Sequence, residues 1–436
     1  MAGVLEADWT WTGERFESGV RVRVGDDGRI TTVGPLAEAP DRRLEGQALL
    51  PGMVSAHSHA FQRGLRGRGE TFPGESGSFW TWRRAMYGLV EDLDPDAFEG
   101  LCLRTFREMR RAGITCVGEF HYFHHRRIGD GSGDHAMDER VLRAAAAAGI
   151  RIALLQVYYR TGGIGQPLEG GQLHFASPSP AAYWEQMARL AEAMGRIDPL
   201  RQSLGASVHS LRAAGPDELA AIYDEARRRD LPFHIHVEEQ RREIEDSLAF
   251  YNRHPMAVLL DALGTATDVT AVHCTHTDGE DMERFLAGGG TVCICPLTEG
   301  NLGDGIAALP RIHTLAGQAG AVCLGSDSNA RISMLEEMRW LEYVQRLATE
   351  SRGVLRDGDG SVGRVLFRAA TETGARALRV DAGRIAPGCW ADFVTLDLEA
   401  PTLAGWTPDT LLDALIFGAG EEAIAGTCVA GVWEER

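Results

Sequence analysis

A chain of 436 residues, 44% hydrophobic and 24% charged, is long enough to bury a large core without covalent staples. Its 62 acidic against 44 basic residues leave a net charge of −18, which repels phosphate backbones and anionic membranes, so no nucleic-acid partner is expected. Every basic residue is arginine, which excludes a Schiff-base amine, a phosphate-loop lysine and a carboxylated-lysine metal bridge.

In chain order, the segment Met1 to Phe16 lacks the basic-then-apolar pattern of a signal peptide. No apolar run approaches the roughly 18 residues of a membrane span, so a cytoplasmic, membrane-free protein is expected. Alternation in Val20–Val24 and Arg29–Val33 around the turn Gly25–Gly28 predicts a β-hairpin within a first β-rich piece, residues 1–48. Residues 49–379 then alternate short β-branched runs with helix-patterned stretches such as Asp217–Arg229 and Leu335–Thr349. The candidate strands are Leu50–His57, Thr115–His121, Ile150–Tyr158, Leu204–His209, Pro232–Val237, Val269–Cys274, Thr291–Pro296 and Ala321–Asp327. Eight strand–helix units of about 41 residues predict an α/β fold, a (β/α)8 TIM-type barrel. A doubly wound open sheet is the competing arrangement, but no glycine-rich dinucleotide fingerprint follows a strand. The glycines Gly64, Gly67 and Gly69 lie in an arginine-rich stretch and read as a loop.

The last piece, residues 380–436, holds the strand-like runs Ala391–Leu396 and Thr427–Trp433. Neither end is long enough for a core of its own, so the two are expected to build one small β-sandwich domain beside the barrel. The cysteines Cys102, Cys116, Cys274, Cys293, Cys295, Cys323, Cys389 and Cys428 are scattered in apolar runs and read as buried hydrophobes in a reducing compartment.

The polar residues of the barrel are concentrated at strand ends. These are His57-Ser58-His59, Glu119-Phe120-His121-Tyr122, His209-Ser210-Leu211-Arg212, His234-Ile235-His236-Val237-Glu238-Glu239, His273-Cys274-Thr275-His276 and Ser326-Asp327-Ser328. One histidine at a strand end is usually just a satisfied polar group. Six such ends on one barrel converge on the mouth where barrel enzymes do their chemistry. Two histidines at i and i+2 share a strand face and reach one metal. His57, His59, His236 and Asp327 offer three imidazoles and a carboxylate, a donor set that suits zinc with a place left for water. One divalent ion is expected, since the lysine bridge of a binuclear centre is missing. Arg212, just past the fourth strand, offers a bidentate fork for a carboxylate. Arg63 and Arg83 read as solvated, and Trp80 and Trp82 as packing or part of a lid.

The HxH of strand one, the HxxE of strand five, the histidine of strand six and the Ser-Asp of strand eight resemble the amidohydrolase superfamily, specifically its mononuclear deaminase branch. Leu50-Pro51-Gly52-Met53 and Ile385–Asp392 fit the same pattern, so the resemblance spans nearly the whole chain. Within the superfamily, His57–Arg63, Ser78–Arg83, Glu119–Tyr122, His209–Arg212, His236–Gln240, Asn301–Gly305 and Arg339–Tyr343 are similar to the formimidoylglutamate deiminases of histidine degradation. These hydrolyse N-formimino-L-glutamate to N-formyl-L-glutamate and ammonia. The resemblance implies that Gln62, Tyr122, His209 and Arg212 contact substrate. It also implies that Asp327 takes a proton from water, His273 orients or stabilises the adduct, and Glu239 shuttles a proton to the leaving nitrogen. A homodimer is implied as well. One departure is Asn329, where the resemblance leads one to expect histidine after Gly325-Ser326-Asp327-Ser328. The rival readings are a deaminase of a ring substrate (guanine, adenosine-like or triazine-like) and a non-catalytic metal-binding barrel.

Overall fold

A computed structural model describes residues 3–68, 70, 77, 79–127, 133–264, 268–309 and 321–435; Gly69 and Ser78, named above, lie outside them. The first strands are β1 (Gly3–Trp11), β2 (Phe16–Glu17), β3 (Arg21–Val24), β4 (Ile30–Gly34) and β5 (Arg42–Pro51). The expected hairpin is β3–β4, and the Arg-Val-Arg-Val of β3 buries only its valines, as the two-residue period of a strand requires. Strand β1 was not foreseen; it runs parallel to β5 in the middle of the sheet.

The barrel strands follow as β6 (Met53–Ser58), β7 (Ile114–His121), β8 (Arg151–Tyr158), β9 (Gln202–Val208), β10 (Phe233–Val237), β11 (Val269–His273), β12 (Thr291–Ile294) and β13 (Val322–Leu324). Each corresponds to one of the eight expected runs. They pair in chain order, all parallel, and a bridge between Ser58 and Asp327 joins the first tip to the last. Strands covered on both faces are largely apolar, and every residue of β6, β7, β8, β10, β11 and β12 is buried. The intervening helices start where side-chain caps dictate. Asp94 caps Pro95–Arg111, Ser179 caps Pro180–Ile197 and Ser333 caps Met334–Thr349, each accepting a backbone N–H of the first turn.

The chain returns in β14 (Phe393–Asp397), β15 (Ile424–Val429) and β16 (Val432–Glu435). The run expected as one strand over Thr427–Trp433 is a hairpin, because Ala430 and Gly431 both take positive φ and turn the chain back. Both ends of the chain form one continuous eight-stranded sheet, β16-β15-β14-β5-β1-β3-β4 with β2 beside β1. The sheet closes over a core of Leu5, Val22, Ile30, Leu49, Phe393 and Cys428, where Ala391 N–H donates to Gly28 O across the fold.

The two sheets meet at Gly52, between β5 and β6, where a Cβ would lie 2.0 Å from Thr115 Oγ1, so only glycine fits. Beside it Arg151 of β8 makes a buried bidentate pair with Asp392 (2.6 and 3.1 Å), and Arg151 stacks on Trp390. All eight cysteines are buried as free thiols. Among the described residues no helix is long and apolar enough to cross a membrane.

Candidate active site

The β6 tip delivers His57 and His59 on one side of the strand, and β10 delivers His236 from across the barrel. His57 Nε2 lies 3.1 Å from His59 Nε2 and 3.1 Å from His236 Nε2. His59 Nδ1 donates to Phe120 O (2.9 Å) and His236 Nδ1 to His209 O (3.0 Å), so in the neutral ring each Nε2 is a bare lone pair. Burial holds all three rings neutral: it presses His57 and His236 well below the usual imidazole range and His59 to about 3. Asp327 adds an oxygen 3.3 Å from His59 Nε2 and 3.8 Å from His57 Nε2. Two bare lone pairs and a third imidazole, His57, whose Nδ1 has no partner, crowd against a carboxylate oxygen, a donor set that suits a cation. Zinc with Zn–N of about 2.1 Å sets tetrahedral ligand atoms about 3.4 Å apart, so these donors fit.

Asp327 is placed by the seam of the barrel. Its N–H donates to His57 O and its carbonyl accepts His59 N–H, with φ at +41°. Asn329 holds that seam. Fully buried, its Nδ2 lies within 3.1 Å of Ser58 Oγ, His59 O and Asp327 O, and its Oδ1 accepts Ser326 Oγ–H. Asparagine also tolerates the positive φ this position adopts (+55°), so the residue found where histidine was expected ties the first and last strand tips together.

Beside the cluster stand His273 and Glu239. His273 Nε2 is 3.6 Å from Asp327 Oδ2 and 3.8 Å from Glu239 Oε1. Its Nδ1 donates to Glu299, which also accepts the Cys295 N–H. Burial would lower His273, but the Glu299 hydrogen bond and the charges of Glu239, Asp327 and Glu299 outweigh it and push the ring to about 10. Burial raises the Asp327 carboxyl to about 7, against His273 and with Glu239 and Glu299. Arg212 Nη2 donates to Glu239 Oε2 at 3.0 Å.

A small cavity of about 40 Å³ sits over these groups, and His59, Gln62, Tyr122, His209, Arg212 and Glu239 all line it. Gln62 Nε2 donates to Tyr122 Oη (2.6 Å). The helix Phe79–Asp92 covers it with Phe79, Trp82, Arg83 and Met86. An outer cavity of about 510 Å³ continues past Trp80, Arg83, Arg212 and Arg242. Arg83, expected to be solvated, instead lines both cavities and donates to Tyr159 Oη, whereas Glu299 and Glu243 were not singled out in the sequence. Arg63, in contrast, is paired with Glu108 away from the site.

Other strand-end groups face elsewhere. Glu119 accepts Ala60 N–H, His234 bonds to Ala377 O, and His121 points outward to Asp138. Asp138 gathers His121, His124 and His135 with Gln156 and Gln186, a second buried histidine–carboxylate cluster behind β7.

A sequence model described as the amidohydrolase family matches residues 48–433. A formimidoylglutamate deiminase of Pseudomonas aeruginosa is 39% identical over 426 residues, covering 97% of this chain and 92% of that protein. A 5-methylthioadenosine/S-adenosylhomocysteine deaminase of Nitratidesulfovibrio vulgaris is 27% identical, covering 93% and 85%. Among solved structures, an amidohydrolase from Brucella melitensis superposes with TM-score 0.89 at 34% identity, covering 99% of this chain and 94% of that one. An adenosine deaminase from Xanthomonas campestris with bound zinc shares the fold, with TM-score 0.80 at 24% identity and coverage of 99% and 92%.

Proposed function

The chain belongs to the amidohydrolase family, and from that premise we propose that its barrel mouth hydrolyses N-formimino-L-glutamate to N-formyl-L-glutamate and ammonia, a step of histidine degradation. The observation that carries this reading is a buried arginine, Arg212, hydrogen-bonded to Glu239 in a cavity that His59, His236 and Asp327 also line. A ring substrate has no carboxylate for such a fork, whereas formimino-glutamate has two.

A divalent metal, zinc, held by His57, His59, His236 and Asp327, supplies Lewis-acid activation of water when bound. The remaining chemistry belongs to the chain. Asp327 accepts the proton of the attacking water on the oxygen that faces His273. Water adds to the formimino carbon, and His273, cationic at neutral pH, donates a hydrogen bond to the oxygen as the carbon becomes tetrahedral. Glu239 takes the second proton of the water and passes it to the imino nitrogen. The proton held by Asp327 follows to the same nitrogen, and the C–N bond breaks as ammonia leaves and the oxygen closes to the formyl C=O, with both carboxylates regenerated. Arg212 holds one carboxylate, while Gln62, Tyr122 and His209 fix the amidine end over the cluster.

The same reading makes the protein a cytoplasmic homodimer that takes a small molecule and no nucleic acid; the net charge of −18 supports the last point. The test is ammonia release by the zinc-loaded protein from N-formimino-L-glutamate, N-formimino-L-aspartate and guanine. Release from the glutamate derivative alone is expected. Release from guanine alone would leave the barrel and its metal but remove the carboxylate pocket.

A further inference from the structure

Glu243 lies on the first turn of the helix Arg241–Tyr251, behind the arginine that the proposed function assigns to a substrate carboxylate. It is 1% exposed, and no side chain hydrogen-bonds to either of its carboxylate oxygens, which have only a weak contact with the Glu238 backbone. Its Oε2 is 3.8 Å from Arg212 Nε, while Nη2 of the same guanidinium bonds to Glu239. One buried positive group therefore faces two buried carboxylates before any substrate arrives. The groups around Glu243 add no second cation at that depth. Glu238 and Glu239 face it from the loop after β10, and Cys274, a thiol that burial keeps protonated, faces it from the end of β11. His254 stands beside Glu238, whose carboxylate accepts Met256 N–H of the helix Pro255–Leu263. On its own helix Arg242 pairs with Asp246 at the surface.

We infer that Glu243 takes up a proton when the dicarboxylate substrate binds, and so acts through Arg212 as a positioning residue that frees the guanidinium for the substrate. This rests on the proposed function. A substrate carboxylate entering an unchanged site would place three anionic groups around one guanidinium in a low-dielectric cavity. Neutralising one of them relieves this, and Glu243 has no side-chain hydrogen bond to lose, unlike Glu239. Burial pushes Glu243 up to about 7, against Arg212 and with Glu239 and Glu238, so the exchange falls in the working pH range. The outer cavity past Arg212 and Arg242 gives the proton a route from solvent.

The test is calorimetric binding of N-formyl-L-glutamate, which carries both carboxylates, to the zinc-loaded protein in buffers of different ionisation enthalpy. Uptake of about one proton per ligand at pH 8 is expected, with Kd rising up to about tenfold per pH unit above 7. Glu243→Gln should abolish the uptake and flatten Kd between pH 6 and 9, and Glu243→Asp should keep both. Absence of uptake in the unaltered protein overturns the inference whatever the variants do, as does undiminished uptake in Glu243→Gln. Turnover of N-formimino-L-glutamate without proton uptake overturns the role of Glu243 alone. No turnover overturns the proposed function and this inference with it.

Discussion

Two clusters of three histidines and one aspartate flank β7, and they do opposite things. In the outer one every ring aims a nitrogen at Asp138: His121 Nε2 (2.9 Å), His124 Nδ1 (3.0 Å) and His135 Nδ1 (2.9 Å), with Gln156 and Gln186 adding their amides. Burial alone would raise this carboxyl, yet the His124 charge and the three histidine bonds hold it well below the usual carboxylate range. In the inner cluster His59 and His236 commit their outer nitrogens to carbonyls, and their inner ones meet His57 Nε2, a ring nitrogen rather than a carboxylate. The same residue types thus close on their own carboxylate in one place and, in the reading proposed above, hold a cation in the other. What separates them is what the inward nitrogen meets, the Asp138 carboxylate in one and another ring nitrogen in the other, since the second nitrogen of His124, like those of His59 and His236, goes to a backbone carbonyl. The outer cluster also has a use at the site, because His121 and His124 clamp the segment that carries Tyr122 into the cavity.

Exchanging the two aspartates should break the comparison most sharply. Asp327→Asn should lower turnover on the order of 10⁴-fold and reduce retained zinc, read by ammonia release and metal analysis. Asp138→Asn should leave the zinc content unchanged. Within the inner region, Glu239→Gln should cut kcat by about 10²–10⁴-fold while zinc stays bound, which separates proton transfer from metal holding. Arg212→Met should raise KM by about 30-fold or more, since it removes a charge-assisted fork and strands Glu239 and Glu243. In the outer cluster, Asp138→Asn should cost about 2–3 kcal/mol in denaturant unfolding, from the donors it leaves unmatched.

The smallest effect concerns pH. His59 is pushed down from an unfolded value of about 6.5 to about 3, so its contribution is complete above pH 6.5 and lost as pH falls toward 3. Chelator-treated protein should therefore lose on the order of 2 kcal/mol through this ring between pH 6.5 and 5, measured by denaturant unfolding. Zinc should suppress the loss, because the bound ion competes with the proton.

All eight barrel strands could be read from the chain, because a strand buried on both faces is a short, largely apolar run and the polar residues collect at its end. His57 and His59 were readable for the two-residue period of a strand, and Arg212 for its place just past a strand end. The outward turn of His121 follows from the same period: Phe120 next to it faces the metal-site histidines, so His121 cannot. Sequence reading named the strand end without assigning that side. Strand β1 escaped because Glu6 and Asp8 interrupt its apolar run; both pair with Arg43 of β5, a partner visible only in three dimensions. Glu243 and Glu299 escaped for a similar reason. Each sits in a helix-patterned stretch where a glutamate reads as a solvated face, and burial against Arg212 and His273 is a tertiary fact.

The most direct test of the account is a zinc titration of chelator-treated protein, followed by equilibrium dialysis and ammonia release from N-formimino-L-glutamate in parallel. The account predicts one zinc per chain, with turnover rising in proportion and reaching its limit at that stoichiometry. A second tightly bound zinc, or full turnover before zinc is added, would contradict it.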